Sequence, residues 1–181
     1  MLIQVEADAR AVSLRAAELV AELVTRNPRA VVGLAAGATP LGLYDELVRR
    51  KLDFSGITVF GLDEYMDLPP DHPASCTRAV RRNLIERVNL DPSRIHLLDA
   101  IPHGDVAAVC AAHEQRIAAA GGLDLQILGL GMNGHIGFNE PGSSLSAPTH
   151  PTALSASTRA AIDTADEAGD AGDDDGHGNV L

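Results

Sequence analysis

The chain has 181 residues, 45% of them hydrophobic but only 3% aromatic and without Trp, which suits one domain whose core rests on Leu, Val, Ile and Ala. Its formal net charge is −11, and residues 163–181 contribute −7 of that through Asp163, Asp166, Glu167, Asp170, Asp173, Asp174 and Asp175, with no Lys or Arg. Neither body nor tail offers the basic face that a nucleic acid requires, and no apolar run approaches the roughly 18–20 residues that span a bilayer.

The first ten residues, MLIQVEADAR, lack the basic-then-apolar pattern of a signal peptide. The expectation is a cytoplasmic protein with no nucleic-acid and no membrane partner. Cys76 and Cys110 are the two cysteines, and their spacing matches no metal motif and no disulfide framework, so both read as reduced thiols.

In chain order, Leu2–Val5 reads as a strand. Residues 8–26 repeat apolar positions at helical spacing (Val12, Leu19, Leu23), with Asp8 placed to cap the helix. Ala30–Ala35 is a continuous apolar run, as in a strand covered on both faces. A small-residue loop leads to a helix from Pro40 to about Lys51, with Pro in the first turn, where its missing N–H costs nothing. Ile57–Leu62 is the next strand, followed by a polar loop from Asp63 to Ser75 and a helix over 76–89. Asp91-Pro92 turns the chain into a short strand, Ile95–Leu98. An Ala-rich helix over 105–120 and the strand Leu123–Leu128 follow, and then a long glycine-dense loop.

This alternation predicts an α/β fold: a doubly wound, mostly parallel sheet with helices on both faces. In such sheets ligands bind beyond the carboxyl ends of the strands. Three unusual loops follow strand ends, after Ala35, Leu62 and Leu128, so all three are predicted to share one rim.

The first loop runs from Gly33 to Gly42. Gly37, Ala38 and Thr39 lead into a helix whose N-terminal amides and dipole favour an anion. No Lys follows the glycines, so a phosphate monoester fits better than a nucleotide; a plain tight turn is the alternative. The second loop carries Asp63 and Glu64. Adjacent residues leaving a strand point to opposite sides, so one carboxylate is expected to face the site. Partly desolvated, it acts as a base; the alternative is a solvated acidic loop.

The third loop gathers Asn133, His135, Asn139 and Glu140 within eight residues. An imidazole beside a carboxylate moves protons near neutral pH. The spacing is not that of a zinc motif, so no metal is expected. His72, His96, His103, His113, His150 and His177 read as structural or solvated.

GLAAGATPLGLY, then FGLDEYMDL and HPASC, then DLQILGLGMNGHIGFNEPGSSL together resemble the glucosamine-6-phosphate deaminases, in that family's order and spacing, over about residues 1–162. The resemblance implies a modified doubly wound, Rossmann-like sheet. It implies conversion of glucosamine 6-phosphate and water to fructose 6-phosphate and ammonia, in amino-sugar catabolism, with no cofactor. By the same resemblance Asp63 matches the base that takes the carbon 2 proton, and His135 the group that opens the sugar ring. Asn133 and Glu140 match its assisting partners, and Gly37, Ala38 and Thr39 the phosphate loop. The family includes monomers and hexamers, which leaves a homo-oligomer open.

Beyond Ala161 the pattern stops matching, and no basic residue follows Arg159. The resemblance implies a further stretch with an Arg and a Lys for the phosphate; residues 163–181 instead read as an acidic, disordered tail and the sheet as incomplete, with impaired activity as the expectation. Two other functions remain as alternatives: a 6-phosphogluconolactonase-like sugar-phosphate lactonase, which the segment from Gly137 to Pro141 disfavours, and a non-catalytic sugar-phosphate binder.

Overall fold

The computed structural model describes residues 2–66, 68, 72–98, 105–144, 146–159 and 179–180. The first element is helix α1, Ala9–Arg26, and Asp8 caps it by accepting from the Ala11 amide at 2.8 Å. Its buried face is Ala17, Val20, Leu23 and Val24, whereas Val12 and Leu19 are exposed. The expected strand at Leu2–Val5 does not form: the segment is irregular, and Leu2, Ile3 and Val5 are exposed. An apolar stretch becomes a strand only when a neighbouring ladder satisfies its amides, and among the described residues none pairs with it.

Strand β1 is Val31–Leu34 and β2 is Thr58–Gly61, every residue of both being buried. Between them lies α2, Leu41–Arg50, with Pro40 at its N-cap and Lys51 closing it in the left-handed region. Helix α3 spans Cys76–Asn83, shorter than the predicted 76–89. Leu84 leaves helical geometry at φ −135°, and it and Ile85, which opens a 3₁₀ turn, turn into the core. Strand β3 (Ile95–His96), helix α4 (Val106–Ala119) and strand β4 (Leu125–Gln126) follow, the two strands shorter than predicted.

The sheet order is β3-β2-β1-β4, and all pairs are parallel. Pleating separates the two faces. Val32, Leu34 and Val59 join Val20, Leu43, Leu47 and Val80 in one core, which places α1, α2 and α3 on the same face. Phe60, adjacent to Val59, meets His113 of α4 edge-on with ring centroids 5.6 Å apart, so α4 covers the other face. The doubly wound fold is therefore as predicted. Because β1 lies between β2 and β4, chain connections diverge there, opening a crevice above the carboxyl ends of β1 and β4.

Asn179–Val180 form a strand, β6, antiparallel to β5 (Thr152–Ala153), and Val180 is buried against Tyr65, Leu68 and Leu154. The expectation of a structureless tail does not hold for these two residues; 163–178 lie outside the described residues. Among the described residues no helix is long and apolar enough to cross a membrane.

Candidate active site

All three loops meet on one rim, around a cavity of about 370 Å³. Gly37 and Thr39 of the first loop, Asp63 of the second and His135 of the third line it. Gly37 has φ 88°, a backbone that side chains rarely adopt, and the Tyr44 hydroxyl pins the loop start by donating to the Ala35 carbonyl at 2.6 Å. Ala38, grouped with its neighbours in the sequence, is exposed and does not line the cavity. The N-terminus of α2 has no side-chain cap; the Leu41 amide donates to the Ala38 carbonyl at 3.4 Å, and no capping side chain competes with an anion there.

The two carboxylates of the second loop part company, as strand geometry requires. Asp63 turns to the cavity. Glu64 is fully buried and accepts from the Tyr65 amide (2.8 Å), the Ser75 hydroxyl (2.8 Å), the Cys76 amide (3.0 Å) and the Thr77 amide (2.9 Å). It fills the N-terminus of α3 with negative charge and bolts the second loop to that helix. Burial pushes the Asp63 carboxyl up from 3.8 to about 7; a hydrogen bond from the Cys76 thiol opposes the rise and the charge of Glu64 adds to it.

The third loop is two tight turns in series. In the first, Gly131 donates to the His135 carbonyl at 2.9 Å, with Gly134 at φ 89°. In the second, Ile136 and Asn139 exchange both backbone hydrogen bonds at 3.0 Å, with Gly137 at φ 57° packed against Leu62 and Asp63. A side chain at Gly131 would overlap the His135 imidazole, so glycine there makes room for the ring.

A hydrogen-bond chain runs away from that ring. His135 Nδ1 meets Asn133 Oδ1 at 2.7 Å, and Asn133 Nδ2 donates to Glu140 Oε2 at 2.8 Å. The other oxygen of Glu140 accepts from the Ser155 amide at 3.0 Å and the Thr158 hydroxyl at 2.6 Å. The Thr158 hydroxyl, ahead of the Ser155 and Asn133 donors, holds the Glu140 carboxyl down at about 2, so it is ionised and only accepts. In that arrangement Asn133 presents its NH₂ to Glu140 and its oxygen to the ring and the backbone amide of His135. Nδ1 of His135 therefore carries a proton, which it donates to Asn133, and in the neutral ring Nε2 is the accepting nitrogen.

Asp63, Asn133, His135 and Glu140 are thus brought to one place. Sequence reasoning did not find Cys76, Ser155 or Thr158, nor the anchoring role of Glu64. A small polar Ser-Cys-Thr run before a helix is a capping signal, but nothing local says that the cap holds a carboxylate from eleven residues earlier. Of the histidines set aside, His96 and His113 pack on Phe60 and burial lowers the pKa of each. His72 Nδ1 accepts from the Ala74 amide, and the His150 ring meets the Pro148 carbonyl. His103 and His177 lie outside the described residues. Among the described residues no three His, Cys, Asp or Glu side chains cluster to hold a metal.

Residues 4–161 match the family model of glucosamine-6-phosphate isomerases/6-phosphogluconolactonase. The chain belongs to that family. A glucosamine-6-phosphate deaminase of Arthrobacter sp. (strain FB24) is 49% identical over 148 residues, covering 80% of this chain and 56% of the relative. One from Halothermothrix orenii is 45% identical over 162 residues, covering 87% and 67%. The chain thus spans between about half and two thirds of the length of these curated relatives. A solved monomeric glucosamine-6-phosphate deaminase superposes with a TM-score of 0.90 at 34% identity, over 100% of this chain and 75% of that one. The 6-phosphogluconolactonase of Thermotoga maritima superposes less closely, with a TM-score of 0.63 at 26% identity over 75% and 61% of the two chains.

Proposed function

We propose that this chain carries the proton-transfer centre of a cytoplasmic glucosamine-6-phosphate deaminase, acting without cofactor. The reading rests on one observation: a carboxylate raised toward neutrality and an imidazole held through Nδ1 line the same cavity, beside a helix N-terminus without a side-chain cap. An aldose-to-ketose shift needs these three things: a base near carbon 2, a proton shuttle at the ring oxygen, and an anchor for the distant phosphate.

In this reading the phosphate lies against Gly37 and Thr39. His135 Nε2 takes the proton of the carbon 1 hydroxyl and delivers it to the ring oxygen, and the ring opens to an aldehyde. Asp63 removes the carbon 2 proton while the aldehyde oxygen takes one from the substrate's own ammonium group, giving an enolamine. The proton held by Asp63 returns at carbon 1 and leaves a protonated imine at carbon 2. Water adds there and ammonia departs. Two small-molecule substrates separate the candidate activities. The full chain is expected to release ammonia from glucosamine 6-phosphate and to leave 6-phosphogluconolactone hydrolysis at its uncatalysed rate; lactone hydrolysis without ammonia release would replace this reading with the lactonase.

Gly131→Ala tests the placement of the ring. Its methyl displaces the imidazole, and a misplacement of about 1 Å costs roughly 100-fold in rate. Ammonia release is expected to fall by that order while the melting temperature stays near that of the parent; an unchanged rate would mean that the ring position is immaterial.

A further inference from the structure

Thr158 lies in none of the motifs, 25 residues after Asn133 and 18 after Glu140, yet its side chain sits where the hydrogen-bond chain behind His135 ends. It is 5% exposed and lines the cavity. Its Oγ1 is 2.6 Å from Glu140 Oε1, 3.3 Å from Asn133 Nδ2 and 3.0 Å from Ser155 Oγ, and its amide donates to Ser155 Oγ at 3.2 Å.

We propose that Thr158 is a positioning residue that locks the Asn133 amide and, through it, the proton of His135 on Nδ1. A hydroxyl has one proton and two lone pairs. Glu140 only accepts, so the proton of Thr158 goes there, and its lone pairs take the Asn133 NH₂ and the Ser155 hydroxyl. The two protons of the Asn133 amide are then both committed, one to Glu140 Oε2 and one to Thr158 Oγ1. A flipped amide would lose both bonds, point its carbonyl at a carboxylate and turn its NH₂ on the His135 amide, which here donates to Asn133 Oδ1 at 3.1 Å. Glu140 by itself engages one amide proton; Thr158 engages the second and braces Glu140 from its other oxygen. In the neutral ring, Nε2 is thereby the nitrogen that accepts.

The catalytic consequence rests on the deaminase reading, but the tautomer does not, so the test has two readouts. Nitrogen NMR of the imidazole, assigned by loss of signal in His135→Gln, reports which ring nitrogen carries the proton. The intact chain is expected to show the Nδ1–H form alone. Thr158→Val, close to isosteric but without the hydroxyl, is expected to show both tautomers and a kcat for ammonia release lower by roughly tenfold, with KM within about twofold. Thr158→Ser, which keeps the hydroxyl, restores the single tautomer and the rate. Where Thr158→Val fails to fold, Thr158→Ala makes the same deletion without new bulk. A single Nδ1–H tautomer in the Val or Ala variant, or mixed tautomers in the Ser variant, overturns the proposal. A chain that shows the tautomer shift but releases no ammonia overturns the deaminase reading instead.

Discussion

Asp63→Asn is expected to reduce ammonia release by about 10²–10⁴-fold, the range that one positioned general base supplies. The loss should fall on kcat, since the phosphate loop and the His135 chain are untouched. In the parent the base works only when ionised. With its carboxyl raised to about 7, kcat/KM should climb through an acid limb near that pH. Cys76→Ala, which removes the thiol bond that favours the ionised form, should move the limb to higher pH.

The same group also makes stability depend on pH, with the opposite sign. The native state holds a proton between the ordinary 3.8 and about 7 that the unfolded chain releases. Protonated Asp63 thus supports the fold fully below 3.8, and that support is lost as pH rises through 7. Above pH 7, Asp63→Asn relieves a desolvated charge, so its melting temperature should exceed that of the parent, by roughly 2–4 °C for each kcal/mol recovered. Thermal melts of both proteins at pH 5 and pH 8 check this. A variant equally stable or less stable at pH 8 would show that Asp63 is not desolvated as placed.

Glu64→Ala is the largest expected loss of stability. Its carboxylate receives four donors, three of them backbone amides, in a site closed to water. Truncation leaves those donors buried and unpartnered. Each orphaned group costs about 1–3 kcal/mol, and removing one member of a buried charged network typically costs about 3–5 kcal/mol. Chemical denaturation should show a fall of that order, a large share of the stability of an ordinary domain. Glu64→Gln should be intermediate, because one of its two oxygens becomes an NH₂ facing donors. An Ala variant within about 1 kcal/mol of the parent would mean that water enters and replaces the carboxylate. Because Glu64 adjoins Asp63, any folded Glu64→Ala protein should also lose activity through displacement of the base.

The covered strands Val31–Leu34 and Thr58–Gly61, the helix between them and the placing of three loops on one rim were all legible in the sequence. So were the carboxylate pair of the second loop and the crowding of Asn133, His135 and Glu140 in the third. These are local signals: an apolar run, a 3.6-residue period, glycines at turns, and chemistry-bearing residues crowded within a few positions of one another.

The tertiary structure decided what depends on distance across the fold. Alternation said that one of Asp63 and Glu64 faces the site; the N-terminus of α3 decided which, by holding Glu64. Cys76 meets Asp63, and Thr158 meets Glu140, only because separate elements pack there. Val12 and Leu19 keep helical spacing yet face solvent, and Leu2–Val5 has strand composition yet no ladder. In each case local preference is worth less than the partner the packing supplies or withholds. A hydrogen bond or a buried face belongs to two segments at once, and no pattern within one of them encodes it.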